Sequence, residues 1–333
     1  CISLDICLTL FSSRFRMRKV WISRLTAQKM IEVQNLTKQY GSFTAVNGIT
    51  FEAQAGEIVG LLGPNGAGKT TTMRMLTGFM PPTSGTAKIA GFDIFDDSME
   101  VRKRVGYLPE RVPIYPDMTV RGYVDFWARL RGVKNSKSQV TQVLERVHLL
   151  DRQKTLVRNL SKGMRQRLGL AQALVHDPEV IILDEPTIGI DPQQVIEVRD
   201  SVRELGKKHT ILFSTHILSE AEQVCDRVVI INKGQIIAEG TPSNLRQKLQ
   251  RGNSLYVQIV GANLAQATDM LSGVAGFESL TAQGEGYILR TRNSNDVRGQ
   301  IAERVVQSGY RLVELRPVAM TLEDIFLDLV GRE

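Results

Sequence analysis

The stretch EIVGLLGPNGAGKT, residues 57–70, decides the fold of this chain. Its apolar first half is typical of a buried strand, and its second half matches the pattern G-x-x-x-x-G-K-[ST]. Glycines in such a loop let backbone N–H groups point at phosphate oxygens, while Lys69 reaches the β- and γ-phosphates and the Thr70 hydroxyl binds Mg²⁺. The stretch therefore predicts a nucleotide-phosphate site followed by a helix. The predicted residues are Gly63, Pro64, Asn65, Gly66, Ala67, Gly68, Lys69, Thr70 and Thr71.

A second apolar stretch, VIILDE at residues 180–185, ends in two carboxylates. Ligands of open α/β sheets bind at the carboxyl ends of the strands, so Asp184 is expected beside the phosphate loop, holding Mg²⁺ together with Thr70. Successive residues of a strand point to opposite faces, so Glu185 is expected to point elsewhere than Asp184. Its carboxylate is predicted to act as the base or orienter for an attacking water.

Strands alternate with helices along residues 31–245, which favours a largely parallel α/β sheet. Strand patterns occupy residues 31–36, 47–53, 57–63, 179–183, 210–215, 227–232 and 235–240. Two amphipathic helices at 119–131 and 138–150 have no strand pattern between them, so residues of about 98–178 are predicted to form a mainly helical subdomain. The apolar face of the first helix is expected to consist of Tyr123, Phe126, Trp127 and Leu130.

The pattern changes after about residue 250. Strand and helix signals then follow the order β-α-β-β-α-β, which is typical of a small ferredoxin-like domain. TLEDIFLDLV at residues 321–330 predicts a last amphipathic helix, with Thr321 and Asp324 placed as a capping pair. The sequence therefore predicts a nucleotide-binding domain at 30–245 and an accessory α+β domain at 250–333.

Charge and cysteines are concentrated at the beginning of the chain. The 333 residues carry a formal net charge of +7, but residues 1–29 contain six basic side chains and one acidic one, which leaves only +2 for the rest. So small a charge predicts no dedicated nucleic-acid surface. Residues 1–29 also hold Cys1 and Cys7, and a clean strand pattern starts only at Met30. We interpret them as an upstream or non-native extension, with an organelle-targeting leader as the alternative.

Five motifs in a fixed order make the chain resemble the ATP-binding subunits of ABC transporters. They are the phosphate loop, LSKGM at 160–164, LDEP at 183–186, IGIDP at 188–192 and STH at 214–216. The resemblance implies that ATP is the nucleotide and that the core is a P-loop ABC-type ATPase. It implies that Tyr40 stacks on adenine and that His216 contacts the γ-phosphate. It also implies that Ser161 and Gly163 form the signature that binds nucleotide, and that Asp191 belongs to the D-loop.

Two departures from the family pattern point to one branch of the family. Lys162 and Met164 stand where the signature usually has Gly and Gln, and Glu110 stands where the Q-loop usually has glutamine. A carboxylate at Glu110 can still accept a hydrogen bond from the lytic water or approach Mg²⁺, so it is a candidate for nucleotide and metal binding. With YLPE, YPDMTV and the terminal LEDIFLDLVG, these features resemble exporters whose membrane subunits are of the ABC-2 type.

The resemblance implies an ATPase in which Glu185, His216 and Lys69 are catalytic and ATP and Mg²⁺ are bound. Such a subunit drives export by a separately encoded transmembrane permease at the cytoplasmic face of a bacterial cell membrane. Two copies pack head to tail, so the signature of one covers the ATP of the other. Two alternatives stay open: an importer-type subunit, and an ABC ATPase without a transport role that acts on ribosomes or nucleic acid.

Overall fold

A six-stranded sheet forms the centre of the computed structural model, which describes residues 28–249, 253–292 and 296–318. Its strands are β3 (Ile58–Leu62), β6 (Val105–Leu108), β7 (Val180–Asp184), β8 (Thr210–Thr215), β9 (Arg227–Asn232) and β10 (Gln235–Gly240). They lie in the order β10-β9-β3-β8-β7-β6, parallel from β9 to β6, with β10 antiparallel to β9. Every residue of β3 and β7 is buried, as both faces of a parallel sheet usually are. The predicted α/β class is confirmed.

An antiparallel sheet lies beside the nucleotide loop. It consists of β1 (Lys29–Tyr40), β2 (Phe43–Gln54), β4 (Ser84–Ile89) and β5 (Phe92–Asp93), in the order β2-β1-β4-β5. We call it the outer sheet. Of these strands, the sequence predicted only parts of β1 and β2. Strands β4 and β5 were not predicted, because they are short and carry little apolar alternation.

The helices between residues 69 and 249 are α1 (Lys69–Leu76), α2 (Ser98–Arg104), α3 (Val120–Leu130), α4 (Ser136–Arg146), α5 (Lys162–Leu174), α6 (Pro192–Gly206), α7 (Leu218–Val224) and α8 (Pro242–Leu249). All of α8 except its first residue belongs to the second unit described below. Two single 3₁₀ turns, Leu150–Arg152 and Val157–Asn159, lie between α4 and α5. The segment predicted to be mainly helical, 98–178, also contains β6, which pairs with β7 in the central sheet. Because β6 has only four residues and follows α2 without a break, its pattern could not be separated from that of the helix.

The predicted apolar face of α3 is wrong in part. Tyr123 is buried, but Phe126 is 37% exposed and Leu130 is 63% exposed. The buried face instead consists of Val120, Tyr123, Val124 and Ala128. The helix therefore carries two overlapping apolar stripes, and the one with the smaller side chains packs inward.

The chain divides into two units between Pro242 and Ser243. The second unit contains β11 (Asn253–Val260), α9 (Leu264–Leu271), β12 (Phe277–Gln283), β13 (Gly286–Thr291), α10 (Arg298–Gln307) and β14 (Arg311–Val318). Its antiparallel sheet has the order β12-β13-β11-β14, which is the predicted ferredoxin-like arrangement. The helix predicted at 321–330 lies outside the described residues, as does nearly all of the segment 1–29. Within the described ranges, none of the helices is both long and apolar enough to cross a membrane.

Candidate functional site: a phosphate loop facing two carboxylates

The phosphate loop connects the end of β3 to the first residue of α1. Gly66 and Gly68 have φ angles of 81° and 106°, in the left-handed region that favours glycine. A Cβ atom at Gly68 would lie only 2.6 Å from the carbonyl oxygen of Ala45 in β2, so the loop packs directly against the outer sheet. Since α1 begins at Lys69, the loop leads into a helix N-terminus, where backbone N–H groups favour anions.

Main-chain hydrogen bonds connect this loop to the turn between β9 and β10. The Gly234 N–H donates to the Ala67 carbonyl at 3.0 Å, and the Gly234 carbonyl accepts from the Asn47 N–H at 2.8 Å. A Cβ atom at Gly234 would lie 2.8 Å from the Ala45 carbonyl oxygen. Main-chain hydrogen bonds therefore connect the turn both to the loop and to β2.

The side chain of Lys69 is almost completely buried. Its Nζ donates to the carbonyl of Gly63 at 2.7 Å and of Pro64 at 3.2 Å. It also lies 3.1 Å from Oε1 of Glu185, and the two side chains are only 5% and 7% exposed. In this structure the predicted phosphate-binding cation is thus paired with the predicted catalytic carboxylate.

Asp184 is fully buried at the end of β7. Its Oδ1 accepts hydrogen bonds from Ser214 Oγ at 2.8 Å and Thr70 Oγ1 at 3.2 Å, while Oδ2 has no partner among the described residues. Burial raises the pKa of this carboxyl above its ordinary value, and the Glu185 and Glu110 carboxylates push in the same direction against the two hydroxyl hydrogen bonds. A bound cation would relieve this burial of negative charge.

The donor set around Asp184 fits Mg²⁺. A buried carboxylate oxygen without a partner and the Thr70 hydroxyl are hard oxygen ligands, the kind that Mg²⁺ prefers. Across the part of the chain that the structure describes, no group of three or more His, Cys, Asp or Glu side chains could hold a metal ion. Mg²⁺ is usually held by one or two carboxylates together with substrate phosphates and water.

Glu185 follows β7 in a left-handed conformation, with φ of 49°. Its N–H donates to Ser214 Oγ at 2.9 Å, and its Oε2 lies 2.6 Å from His216 Nδ1. Glu185 points elsewhere than Asp184, as expected, toward Lys69 and His216. Strand alternation is not the reason, because β7 ends at Asp184 and the backbone of Glu185 is left-handed. Ser214 bridges Asp184 and the Glu185 N–H. It belongs to the STH motif at 214–216, but no role was predicted for its hydroxyl.

A cleft of about 420 Å³ opens beside these groups. Of the predicted nucleotide residues, Tyr40, Glu110 and the loop from Asn65 to Thr71 line it, together with Glu185. The carbonyls of Gly63 and Pro64 face Lys69 instead. Phe43 also lines the cleft and was not predicted; it pairs with Tyr40 across the β1–β2 turn, and both aromatic side chains are exposed.

The predicted signature and D-loop residues lie at two helix N-termini outside this cleft. Ser161 caps α5 by accepting the Met164 N–H at 3.2 Å. Asp191 caps α6 by accepting two backbone N–H groups at 3.1 Å, one of them from Gln194. Gly163 is buried against the Gln194 side chain, where a Cβ would lie 1.7 Å from Oε1.

Comparison with known proteins identifies both parts of the chain. Residues 46–188 match the ABC transporter family, and residues 240–330 match the domain described as the C-terminal domain of DrrA1-3-like ATP-binding proteins. A solved structure of an ATP-binding subunit of an ABC transporter is 32% identical, with a TM-score of 0.61 over 66% of this chain and 92% of its own.

Three bacterial relatives are similar over nearly the whole chain. The linearmycin resistance ATP-binding protein LnrL of Bacillus subtilis is 33% identical over 314 residues, covering 91% of this chain and 99% of its own. The Nod factor export ATP-binding protein I of Burkholderia lata is 39% identical and the bacitracin transport ATP-binding protein BcrA of Bacillus licheniformis is 36% identical, both covering 91% of this chain and 97% of their own. With this likeness and a phosphate loop that faces two carboxylates, the chain belongs to the family of ABC transporter ATP-binding proteins and is an ATPase.

Proposed function

We propose that this chain drives export through a separately encoded membrane permease of the ABC-2 type, at the cytoplasmic face of a bacterial cell membrane. The support comes from relatives named for Nod factor export, bacitracin transport and linearmycin resistance, and from the DrrA1-3-like match of the C-terminal unit. In this proposal the permease contacts the cargo, so the residues of the nucleotide cleft do not determine which cargo is exported.

ATP binds with its phosphates on the loop from Asn65 to Thr71 and its adenine against Tyr40 and Phe43. An exposed aromatic pair at the mouth of the cleft suits a flat purine ring. Thr70 and Asp184 would hold Mg²⁺, and Glu110 lines the same cleft as Thr70. The ion would supply positive charge against the phosphate oxygens. Lys69 exchanges its ion pair with Glu185 for the phosphates.

Glu185 orients the attacking water and accepts its proton once Lys69 has turned to the phosphates. His216, 2.6 Å from Glu185 in this structure, holds that carboxylate, and in this proposal it also contacts the γ-phosphate. The water oxygen forms the new bond to the γ-phosphorus while the bond to the β-phosphate oxygen breaks, and ADP leaves.

The observation that carries the dimer part of the proposal is the position of the signature. Ser161 and Gly163 stand at the N-terminus of a 13-residue helix, whose backbone N–H groups favour an anion, yet neither lines the cleft of its own chain. The signature of one copy therefore serves the ATP of a second copy packed head to tail.

A mixed dimer tests the shared site. One chain carries Lys69→Ala and the other Ser161→Arg, both in a Glu185→Gln background so that bound ATP is trapped. In each homodimer every site lacks a required part, whereas the mixed dimer has one site with an intact Lys69 and an intact Ser161. We expect trapped ATP at about half the competent level in the purified mixed dimer and almost none in the homodimers. No rescue, even with the permease holding the subunits together, would refute the head-to-tail arrangement.

The permease itself is tested by purification of the full chain from detergent-solubilised membranes. We expect a polytopic membrane protein whose presence raises the ATPase rate of the chain. Recovery with ribosomes or nucleic acid, and no such membrane protein, would refute the transport role.

A further inference from the structure

Glu220 is a buried carboxylate that the described mechanism does not use. It lies on the short helix α7 and is only 3% exposed. Its Oε2 accepts hydrogen bonds from Thr187 Oγ1 and Thr215 Oγ1, both at 2.8 Å. A glutamate is almost never so deeply buried without dedicated partners, and here the two partners come from different segments.

The two threonines stand directly beside the predicted catalytic groups. Thr187 lies two residues after Glu185, in the segment that leads to Asp191. Thr215 is the last residue of β8 and directly precedes His216. Glu220 therefore connects the segment after β7 to the segment after β8.

This connection begins where the backbone ladder stops. The parallel pairing of β7 with β8 ends at Asp184 and Ser214, and Glu185, in its left-handed conformation, leaves the strand at that point. Beyond the ladder, the described residues of the two segments share no strand pairing. Ser214 joins them at the level of the Glu185 N–H, and Glu220 joins them one step further from the sheet.

The direction of the hydrogen bonds follows from simple donor counting. The Thr215 hydroxyl oxygen already accepts from the Ile217 N–H at 3.0 Å, so its single proton is free to donate to Glu220. The backbone on both sides of His216 is thereby fixed, because the residue after it, Ile217, donates its N–H to the hydroxyl of the residue before it, Thr215. Hydrogen bonds from hydroxyls to an ionised carboxylate are short and strong, and burial strengthens them further.

We propose that Glu220 is a positioning residue that fixes His216 and Glu185 relative to each other for ATP hydrolysis. Glu220 does not line the nucleotide cleft, and it acts through the Thr187 and Thr215 hydroxyls. The proposal rests on the catalytic roles of Glu185 and His216 in the proposed function. Displacing catalytic groups by about 1 Å can lower a rate about 100-fold, whereas ATP affinity is set mainly by the loop from Asn65 to Thr71.

The test measures kcat, KM for ATP and the thermal unfolding midpoint of the purified full chain. Thr187→Val and Thr215→Val each remove one hydroxyl at nearly constant volume, and we expect each to lower kcat about 10-fold with KM changed less than twofold. Glu220→Gln keeps an oxygen that accepts both hydroxyls, so kcat should stay within about fivefold of wild type. Glu222→Ala removes the same charge from the same helix and is the matched control, expected to keep kcat within twofold.

A second set separates this proposal from the proposed roles of the catalytic groups. Because Thr215 acts through His216, adding Thr215→Val to His216→Ala should lower kcat by no more than twofold further, where independent effects would multiply to another 10-fold. Full activity of His216→Ala alone would contradict the role of His216 in the proposed function. Wild-type kcat in both folded threonine variants would instead overturn the role of Glu220, whatever the result for His216. Glu220→Ala is expected to lose about 100-fold in kcat; if it does not fold, the threonine variants still decide.

Discussion

Replacing Glu185 by glutamine should have opposite effects on the free protein and on its affinity for ATP. The side chains of Lys69 and Glu185 form an ion pair at 3.1 Å and are 5% and 7% exposed. Removing one partner of a buried ion pair costs about 3–5 kcal/mol of folding free energy. Lys69 keeps its two carbonyl acceptors and glutamine keeps an oxygen near it, so we expect Glu185→Gln to lose about 2–3 kcal/mol.

The same loss should favour ATP. In the wild type, binding has to replace the Lys69–Glu185 pair by a Lys69–phosphate pair and leaves a carboxylate close to the phosphates. The variant has no such pair to break and no negative charge at that position. Even half of the lost 2–3 kcal/mol, about 1.4 kcal/mol, corresponds to a Kd about 10-fold lower. Glu185→Gln should also hydrolyse no ATP, which lets the affinity be measured with ATP itself.

Urea unfolding with and without Mg-ATP, together with isothermal titration, checks both effects. The matched control is Glu57→Gln, which breaks the Arg227–Glu57 pair (2.7 Å, 18% and 17% exposed) at the opposite end of β3 from the phosphate loop. It should lower stability without changing the Kd for ATP. If Glu185→Gln unfolds at the wild-type urea concentration and binds ATP no more tightly, the Lys69–Glu185 pair does not contribute as described.

Three further predictions concern Lys69, Tyr40 and His176. Lys69→Ala should abolish measurable ATP binding in titration calorimetry, because it removes the buried cation of the loop; retained affinity would contradict its phosphate role. Tyr40→Ala should raise the Kd for ATP about 10-fold through lost stacking, while Tyr40→Trp should keep it within about twofold. The same Kd for Tyr40→Ala and the wild type would show that the adenine lies elsewhere. Burial lowers the pKa of His176 from 6.5 to about 4, so its neutral form stabilises the fold above pH 6.5 and that contribution is lost as the pH falls. Between pH 7 and 5 the wild type should lose about 2 kcal/mol more unfolding free energy than His176→Gln, measured in urea; parallel losses would contradict this assignment.

Much of the fold follows from apolar patterns in the sequence. The long parallel strands of the central sheet read as apolar runs because both faces are covered. Strands β8, β9 and β10 begin and end where the patterns predict. The misses have local causes. Strand β6 is shorter than the window over which a pattern can be recognised, and α3 carries two stripes of which the sequence could not select the buried one.

The site shows a similar division. The motifs located the loop, Asp184 and Glu185, because a phosphate site needs those residue types at the carboxyl ends of parallel strands, here β3 and β7 on either side of β8. The motifs could not predict the Lys69–Glu185 pair, the bridging by Ser214 or the contacts of Glu220. These depend on the parallel register of β7 with β8 and on the left-handed backbone at Glu185. Both are properties of the assembled sheet rather than of any short stretch of sequence.

The backbone connections among the phosphate loop, β2 and the Gly234 turn bear on how ATP binding divides between enthalpy and entropy. Gly68 and Gly234 pack against one carbonyl, that of Ala45, and the Ala67 carbonyl is already occupied by the Gly234 N–H. A loop preorganised in this way loses little conformational entropy when phosphates arrive. The affinity for nucleotide then depends chiefly on the exchange of partners by Lys69 and on desolvation of the cleft. Substitutions that loosen the Gly234 turn would weaken binding through disorder of the loop, although none of their atoms touches the ligand.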